Sequence, residues 1–268
     1  MVENNNPKPK RKFGQNFLTE TYYAEKIANT VVATEGTVVE IGPGKGALSV
    51  YLKNLHKNFF MIEMDSEIIP ILEEKLGEGD WDIYQGSALD FDYTTLKSPL
   101  NVIGNLPYNT AAHIIKKVLL NSPDTASINF MVQREVAERI CANPGGKKIG
   151  FLSIFCSYFG NPKILFHVPR GAFSPKPNVE SSVFTLTVNS EFITRLPKTE
   201  WLDFFAFVSQ GYSMRRKVLS KVLAWKGENR PAIIKNIESL GLKSTVRAEE
   251  LAVADWIRLF ILCKGLPR

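Results

Sequence analysis

A parallel β-sheet covered by helices on both faces, followed by a smaller all-helical segment, is the α/β fold that this sequence predicts. Three observations predict it. Between Thr37 and Val132, short β-branched or apolar runs alternate with stretches of helical periodicity, the pattern of a parallel sheet built through crossover helices. A glycine-rich turn, Gly42-Pro43-Gly44-Lys45-Gly46, follows the first of these runs directly. From about Thr199 the strand-like runs stop and amphipathic helices take over.

The elements follow in order. Residues 1–16 read as a flexible basic arm that becomes ordered near Phe13-Gly14-Gln15-Asn16-Phe17, and Glu20 to Val32 has helical periodicity. Thr37–Ile41 is a strand; after the glycines, Ala47, Leu48, Tyr51, Leu52 and Leu55 recur at helical spacing. Phe59–Ile62 is a second strand ending at Glu63, and a helix follows through Ile68, Ile71, Leu72 and Leu76. Further strands are expected at Asp82–Tyr84, Asn101–Gly104 and Ser127–Val132, with a helix from Thr110 to Leu120. Strands near Lys163–Val168 and Ser182–Val188 finish the sheet. In the helical segment Trp201, Phe204, Phe205, Val208 and Tyr212 share one face, which reads as core. A last helix covers Leu251 to Cys263, and the expected division is a domain of residues 1–189 and a helical domain of 190–268.

Composition narrows the class. The chain has 268 residues, 44% of them hydrophobic, enough for a large core and two domains. Three cysteines without metal or redox spacing argue for a reducing compartment and against a zinc site. The polar N-terminus carries no apolar signal region and no run is long enough to span a bilayer, so the expected location is the cytoplasm. The net charge of +6 is unevenly placed. Residues 1–189 hold 19 Lys+Arg and 19 Asp+Glu, whereas residues 190–268 hold 14 against 8, and 14 − 8 = 6 is the entire excess. Lys10, Arg11 and Lys12 in the arm and Arg215, Arg216 and Lys217 in the helical segment are the local clusters. Such clustering suits a binder of phosphate backbone.

Ligands of parallel sheets gather at the carboxyl ends of the strands, where Gly42, Glu63 and Asn105 all fall. The glycine turn has two readings. Gly42-x-Gly44-x-x-Ala47 with an acid about 20 residues later satisfies the dinucleotide fingerprint. Glu40-x-Gly42-x-Gly44-x-Gly46 equally resembles the S-adenosylmethionine (AdoMet) loop of methyltransferases. In either, glycine lets the backbone approach the ligand, and Glu63 can accept hydrogen bonds from a ribose diol. Two features favour AdoMet. Glu40 suits an ammonium and a sulfonium but repels a pyrophosphate. Asn105-Leu106-Pro107-Tyr108 offers a clamp for a planar amine: the Asn105 side-chain oxygen and a Leu106 or Pro107 carbonyl accept its two N–H bonds, and the Tyr108 ring stacks on the attached heterocycle. His56, His113 and His167 are scattered, beside no recognisable triad.

Eight blocks in one order carry a resemblance that spans nearly the whole chain. They are Lys12–Leu18, Glu40–Gly46, Glu63-Met64-Asp65, Gly104–Asn109, Met131–Arg139, Phe173–Ser181, Arg215-Arg216-Lys217, and Gly241-Leu242 with Arg247-Ala248-Glu249. The chain resembles the KsgA/RsmA family of small-subunit rRNA adenine dimethyltransferases. The resemblance implies a Rossmann-like AdoMet domain, a small helical C-terminal domain, and N6-dimethylation of two adjacent adenosines in a hairpin near the 3′ end of small-subunit rRNA. The implied partner is that rRNA within an assembling subunit. A monomer is expected, and direct transfer to an amine needs no metal and no membrane.

By motif matching, Asn16 and Leu18 would close over AdoMet, Gly42 and Gly44 would lie against it, and Glu63 would bind its ribose. Asn105 would face both the methyl group and the target amine, with Tyr108 and Phe173 stacking on the two faces of the base. One position departs from the pattern: the family commonly has Asp where this chain has Ser87, so the adenine amine of the cofactor would meet a weaker acceptor, helped by the backbone of Ala88. Two other functions compete. An Erm-type enzyme of large-subunit rRNA shares the sheet and the amine clamp. A non-catalytic rRNA chaperone or transcription accessory factor would keep the fold for binding alone, which intact Gly42, Glu63, Asn105 and Tyr108 argue against.

Overall fold

The computed structural model describes residues 15–32, 35–121, 124–188, 193–224 and 229–264; Lys10, Arg11 and Lys12 lie outside the described residues. Seven strands form one sheet: β2 (Thr37–Ile41), β3 (Phe59–Glu63), β4 (Trp81–Gln85), β5 (Leu100–Asn105), β6 (Thr125–Gln133), β7 (Lys163–Val168) and β9 (Ser181–Thr187). Their order across the sheet is β4-β3-β2-β5-β6-β9-β7. β2 to β6 run parallel, and β9 is reversed against both β6 and β7. A separate antiparallel ribbon pairs β1 (Phe17–Leu18) with β8 (Phe173–Ser174), an element the sequence reading lacks.

β2 is buried at every position and β5 at all but its last, as central strands covered on both faces must be. Gly104 shows how close these two strands lie: a Cβ there would sit 2.4 Å from the Ile41 carbonyl oxygen. The predicted helix to Val32 stops at Ala28. There the Thr30 hydroxyl donates to the Ile27 carbonyl at 2.7 Å, and the β-branched run Thr30-Val31-Val32 has little helical preference.

Two compact units emerge, residues 1–137 with 163–188, and residues 138–162 with 189–268. The second differs from the division expected at residue 190 in taking residues 138–162 together with 189–268. The reason is the helix Phe151–Phe159, whose FLSIFCSYF sequence is apolar nearly all round and demands burial. It packs on the helix Trp201–Tyr212 through an aromatic cluster, with Phe155 and Phe205 ring centroids 4.6 Å apart and Tyr158 and Phe204 5.3 Å apart. The face Trp201, Phe204, Phe205, Val208, Tyr212 is buried here. Further helices at Leu219–Leu223, Arg230–Ser239 and Val253–Cys263 complete this unit.

Candidate active site

Because β2, β3, β4 and β5 are parallel, the residues that follow them meet at one sheet edge. They line a cavity of about 730 Å³ with Gly42, Gly44, Glu63, Ser87, Ala88 and Asn105 in its wall. That size is ordinary for a cofactor pocket.

The glycine turn is held by its neighbours. Gly42 and Gly44 adopt φ of +68° and +54°, the left-handed region that favours glycine. The Gly42 N–H donates to the Ile62 carbonyl at 2.9 Å, and the Gly44 N–H donates to Glu63 Oε2 at 3.0 Å. Glu63 Oε1 accepts from the Asp65 N–H at 2.8 Å. Burial raises the Glu63 carboxyl above its usual range, while the Asp65 and Gly44 amides pull it back. The Met64 amide also lowers it, so with three backbone amides engaged the carboxylate keeps acceptor capacity for a ribose hydroxyl. Glu40, 1% exposed, accepts from the Ser49 hydroxyl at 2.6 Å. Desolvation pushes its carboxyl up to about 8, with the Ser49 hydrogen bond opposing and the neighbouring Glu63 charge reinforcing the shift.

On the next strand end, the Ser87 hydroxyl accepts from the Leu89 N–H at 3.1 Å. The Ala88 carbonyl accepts from the Tyr93 hydroxyl at 2.9 Å, which fixes the loop from beneath.

A strap of residues 15–19 crosses the cavity and lines it. Gln15 Nε2 donates to Asp65 Oδ2 at 3.0 Å, and the Thr19 N–H donates to the Ala172 carbonyl at 2.8 Å. Between these anchors, Phe17 and Leu18 pair with Ser174 and Phe173. Phe17 covers the glycine turn, and Lys45 Nζ stands 4.8 Å from its ring centroid. Asn105 Nδ2 donates to the Asn16 carbonyl at 3.0 Å.

The two candidate backbone acceptors differ. The Pro107 carbonyl accepts the N–H bonds of Thr110 and Ala111 at 3.1 and 3.0 Å, opening the helix Ala111–Asn121. The Leu106 N–H is bound to the Met131 carbonyl at 3.0 Å, while no described group donates to the Leu106 carbonyl. Leu106 therefore keeps its acceptor and Pro107 has used its own. The Tyr108 ring lines the cavity, and its hydroxyl lies 2.8 Å from the buried Ser181 Oγ. Burial raises the Tyr108 phenol above its usual range, with the Ser181 bond opposing.

Phe173 is placed differently from its expected role. It is 4% exposed, packed in the apolar cluster of Leu18, Val168, Ala172 and Val183, and does not line the cavity. Stacking on a base would require it to leave that cluster. Gln15, Ser49, Asp65 and Ser181 also bond to the site residues or their neighbours; Gln15, Asp65 and Ser181 belong to the motif blocks, whereas Ser49 carries no motif.

Comparison with known proteins decides the family. Residues 6–264 match the family model described as ribosomal RNA adenine dimethylase. The chain belongs to the ribosomal RNA adenine dimethylase family. It is 36% identical over 264 residues to ribosomal RNA small subunit methyltransferase A of Pseudomonas aeruginosa, covering 96% of each chain. It is 34% identical over 264 residues to the protein of that name from Pseudomonas fluorescens, covering 97% of this chain and 94% of the relative. Two solved structures share the fold. A dimethyladenosine transferase from Plasmodium falciparum has a TM-score of 0.79 at 22% identity, covering 92% of this chain and 97% of its own. The 23S rRNA methyltransferase ErmE has a TM-score of 0.72 at 20% identity, covering 93% and 100%.

As an adenine dimethylase, the protein is an AdoMet-dependent methyltransferase on a Rossmann-like sheet. The cavity suits that cofactor chemically. Glu40 is a buried acid bonded to the neutral Ser49 hydroxyl, Glu63 can accept from a ribose hydroxyl, and Gly42 and Gly44 place no side chain in the cavity. Among the described residues no cluster of His, Cys, Asp or Glu could hold a metal ion, and no helix is long and apolar enough to cross a membrane.

The basic segment in the helical unit divides in two. Arg215 Nη2 donates to the carbonyls of Lys147 and Ile149 at 3.2 and 2.7 Å, clamping the loop before the helix Phe151–Phe159. All three cations are exposed, so the division lies in the two carbonyl contacts of Arg215 and not in burial.

Proposed function

We propose that this adenine dimethylase places two methyl groups on N6 of each of two adjacent adenosines in a hairpin near the 3′ end of small-subunit rRNA, within an assembling subunit. The relatives named ribosomal RNA small subunit methyltransferase A support that substrate. One observation carries the reading: the side chain of Asn105 and the unengaged Leu106 carbonyl stand on the wall of the same cavity that holds the glycine turn and Glu63. The enzyme works in the cytoplasm as a monomer; Cys141, Cys156 and Cys263 form no disulfide among the described residues, which suits a reducing compartment.

Adenine N6 is a weak nucleophile because its lone pair is delocalised into the ring. Asn105 Oδ1 and the Leu106 carbonyl accept its two N–H bonds and turn the lone pair out of the ring plane. AdoMet, when bound, supplies an electrophilic methyl group on a sulfonium. Asn105, Leu106 and the glycine turn then act by positioning and by fixed dipoles, with no strong base required. The N6 proton becomes acidic as the C–N bond forms and leaves to solvent.

The target base has to leave its helix to reach this wall. Tyr108 offers it a stacking face worth roughly 1–3 kcal/mol. Glu63 takes the ribose of the cofactor, and Ser87 with Ala88 takes its adenine. Arg216 and Lys217 contact the phosphate backbone, as do Lys10, Arg11 and Lys12 of the arm.

The test is to incubate the protein with labelled AdoMet and under-methylated small subunits, and separately with large subunits, and to map modified bases. Two dimethylated adjacent adenosines in the small-subunit hairpin are expected. Label confined to large-subunit rRNA would select the Erm-type reading, and binding without label would select a non-catalytic assembly factor.

A further inference from the structure

The Asn105 side chain has a donor end and an acceptor end, and the proposed reaction uses only the acceptor. The donor end is bonded across 89 residues of sequence to the main-chain carbonyl of Asn16. A carbonyl can only accept, so it fixes which way the amide faces: nitrogen toward the strap, Oδ1 away from it. No described group donates to Oδ1.

The strap that carries this carbonyl is itself anchored on both sides. Gln15 holds it to Asp65, two residues past Glu63, and the β1–β8 ribbon with Thr19 holds it to residues 172–174. We infer that the Asn16 main-chain carbonyl is the positioning group for Asn105, so that the strap lying over the cofactor cavity sets the orientation of the amide that receives the target amine. The inference rests on the reading of Asn105 as the amine acceptor. It adds why the chain has asparagine here: a carboxylate would offer acceptors at both ends and repel the Asn16 carbonyl.

Asn105→Asp tests this, because a protonated carboxyl restores the missing donor. Its O–H can donate to the Asn16 carbonyl while its C=O accepts from the target amine. Activity of the variant is therefore expected to be low at pH 8.5. Its ratio to wild type should rise as pH falls, by about tenfold per unit until the carboxyl is protonated. Glu40, Glu63 and Tyr108, raised by burial, and Lys45, lowered by burial, line the same cavity with Lys75; all are present in both proteins, so their own titrations cancel in the ratio and their coupling to residue 105 only moves the midpoint.

A second readout needs no RNA. The strap lines the cofactor cavity, so calorimetric AdoMet affinity of Asn105→Asp relative to wild type should follow the same pH course with a smaller amplitude. A ratio flat with pH in both measurements, or wild-type activity of the variant at pH 8.5, overturns the inference. If wild type modifies no small-subunit adenosine, the proposed substrate fails, while the calorimetric ratio still decides the role of the Asn16 carbonyl.

Discussion

The two walls of the cavity are built in different ways. On the cofactor wall, Gly42, Gly44, Glu63 and Ser87 lie at the ends of parallel strands, and their partners Ile62, Asp65 and Leu89 come from the same strand ends. The acceptor wall is assembled over distance. Asn105 depends on Asn16, 89 residues away, and Tyr108 on Ser181, 73 residues away. The strand-end residues need only the parallel strands β2 to β5, whereas Asn105 and Tyr108 also need the strap and β9. Binding of cofactor and competence for transfer should therefore separate under mutation.

The largest separation is expected from Asn105→Ala. Transfer to small-subunit rRNA should fall at least a hundredfold, the usual cost of removing a fixed group that contacts the reacting centre. AdoMet affinity, measured by calorimetry, should fall no more than about tenfold, because the strap loses a single neutral hydrogen bond. Equal losses in the two measurements would mean that the walls are not independent.

Glu40→Gln probes the cofactor wall through stability. The folded Glu40 carboxyl titrates near 8, above its ordinary value of 4.5. Between those values the folded state holds a proton that the unfolded chain has released. Stability from this group is thus complete below pH 4.5 and is lost as pH rises through about 8. Denaturant titrations should show wild type losing stability more steeply than Glu40→Gln from pH 5 to 8.5. Glutamine can still accept from Ser49, so parallel slopes would show that Glu40 is ionised in the fold.

The contrast between the walls also explains what the sequence disclosed. The strand ends at Gly42, Glu63 and Asn105 were legible, because glycine spacing and apolar runs are local and the parallel pattern puts all three on one edge. Ser49 under Glu40 was not, since a serine at the start of a helix carries no mark of a buried carboxylate nine residues earlier. The β1–β8 ribbon escaped because two-residue strands have no periodicity. Phe173 could be matched to a motif, but its burial beside Leu18 depends on that ribbon. Chain order places 138–162 with the sheet and carries no mark of the contact between Phe155 and Phe205.

Arg215 makes the same point in the helical unit, where three adjacent cations invite one role. Replacing Arg216 and Lys217 with Ala should flatten the salt dependence of RNA binding by roughly 1.4–1.8 in log–log slope, two phosphate contacts at 0.7–0.9 each. Arg215→Ala should instead lower thermal stability, because the Lys147 and Ile149 carbonyls lose their donor. A slope change from Arg215→Ala as large as from its neighbours would return it to the RNA contacts.

On the acceptor wall, Ser181→Ala should cost transfer about five- to tenfold, the worth of one hydrogen bond near 1 kcal/mol, with AdoMet affinity unchanged. Tyr108→Phe removes the same bond from the other end while keeping the ring. The double variant should lose no more than either single one. Additive losses would show that the hydroxyls act separately and that Ser181 does not position Tyr108.

The smallest effect concerns the one departure in the cofactor wall. Ser87→Asp leaves the local fold intact, because an Asp oxygen can accept from the Leu89 N–H as the Ser hydroxyl does. With the cofactor adenine at residue 87, as proposed, the second carboxylate oxygen would be free to accept from its amine. A charged acceptor is roughly twice as strong as a neutral one, so a gain near 1 kcal/mol, or about fivefold tighter AdoMet binding, is expected. S-adenosylhomocysteine carries the same adenine and should tighten by the same factor. A charge acting instead on the sulfonium would favour AdoMet alone. Equal tightening of both ligands therefore places the adenine at Ser87, and unequal tightening places residue 87 nearer the sulfur.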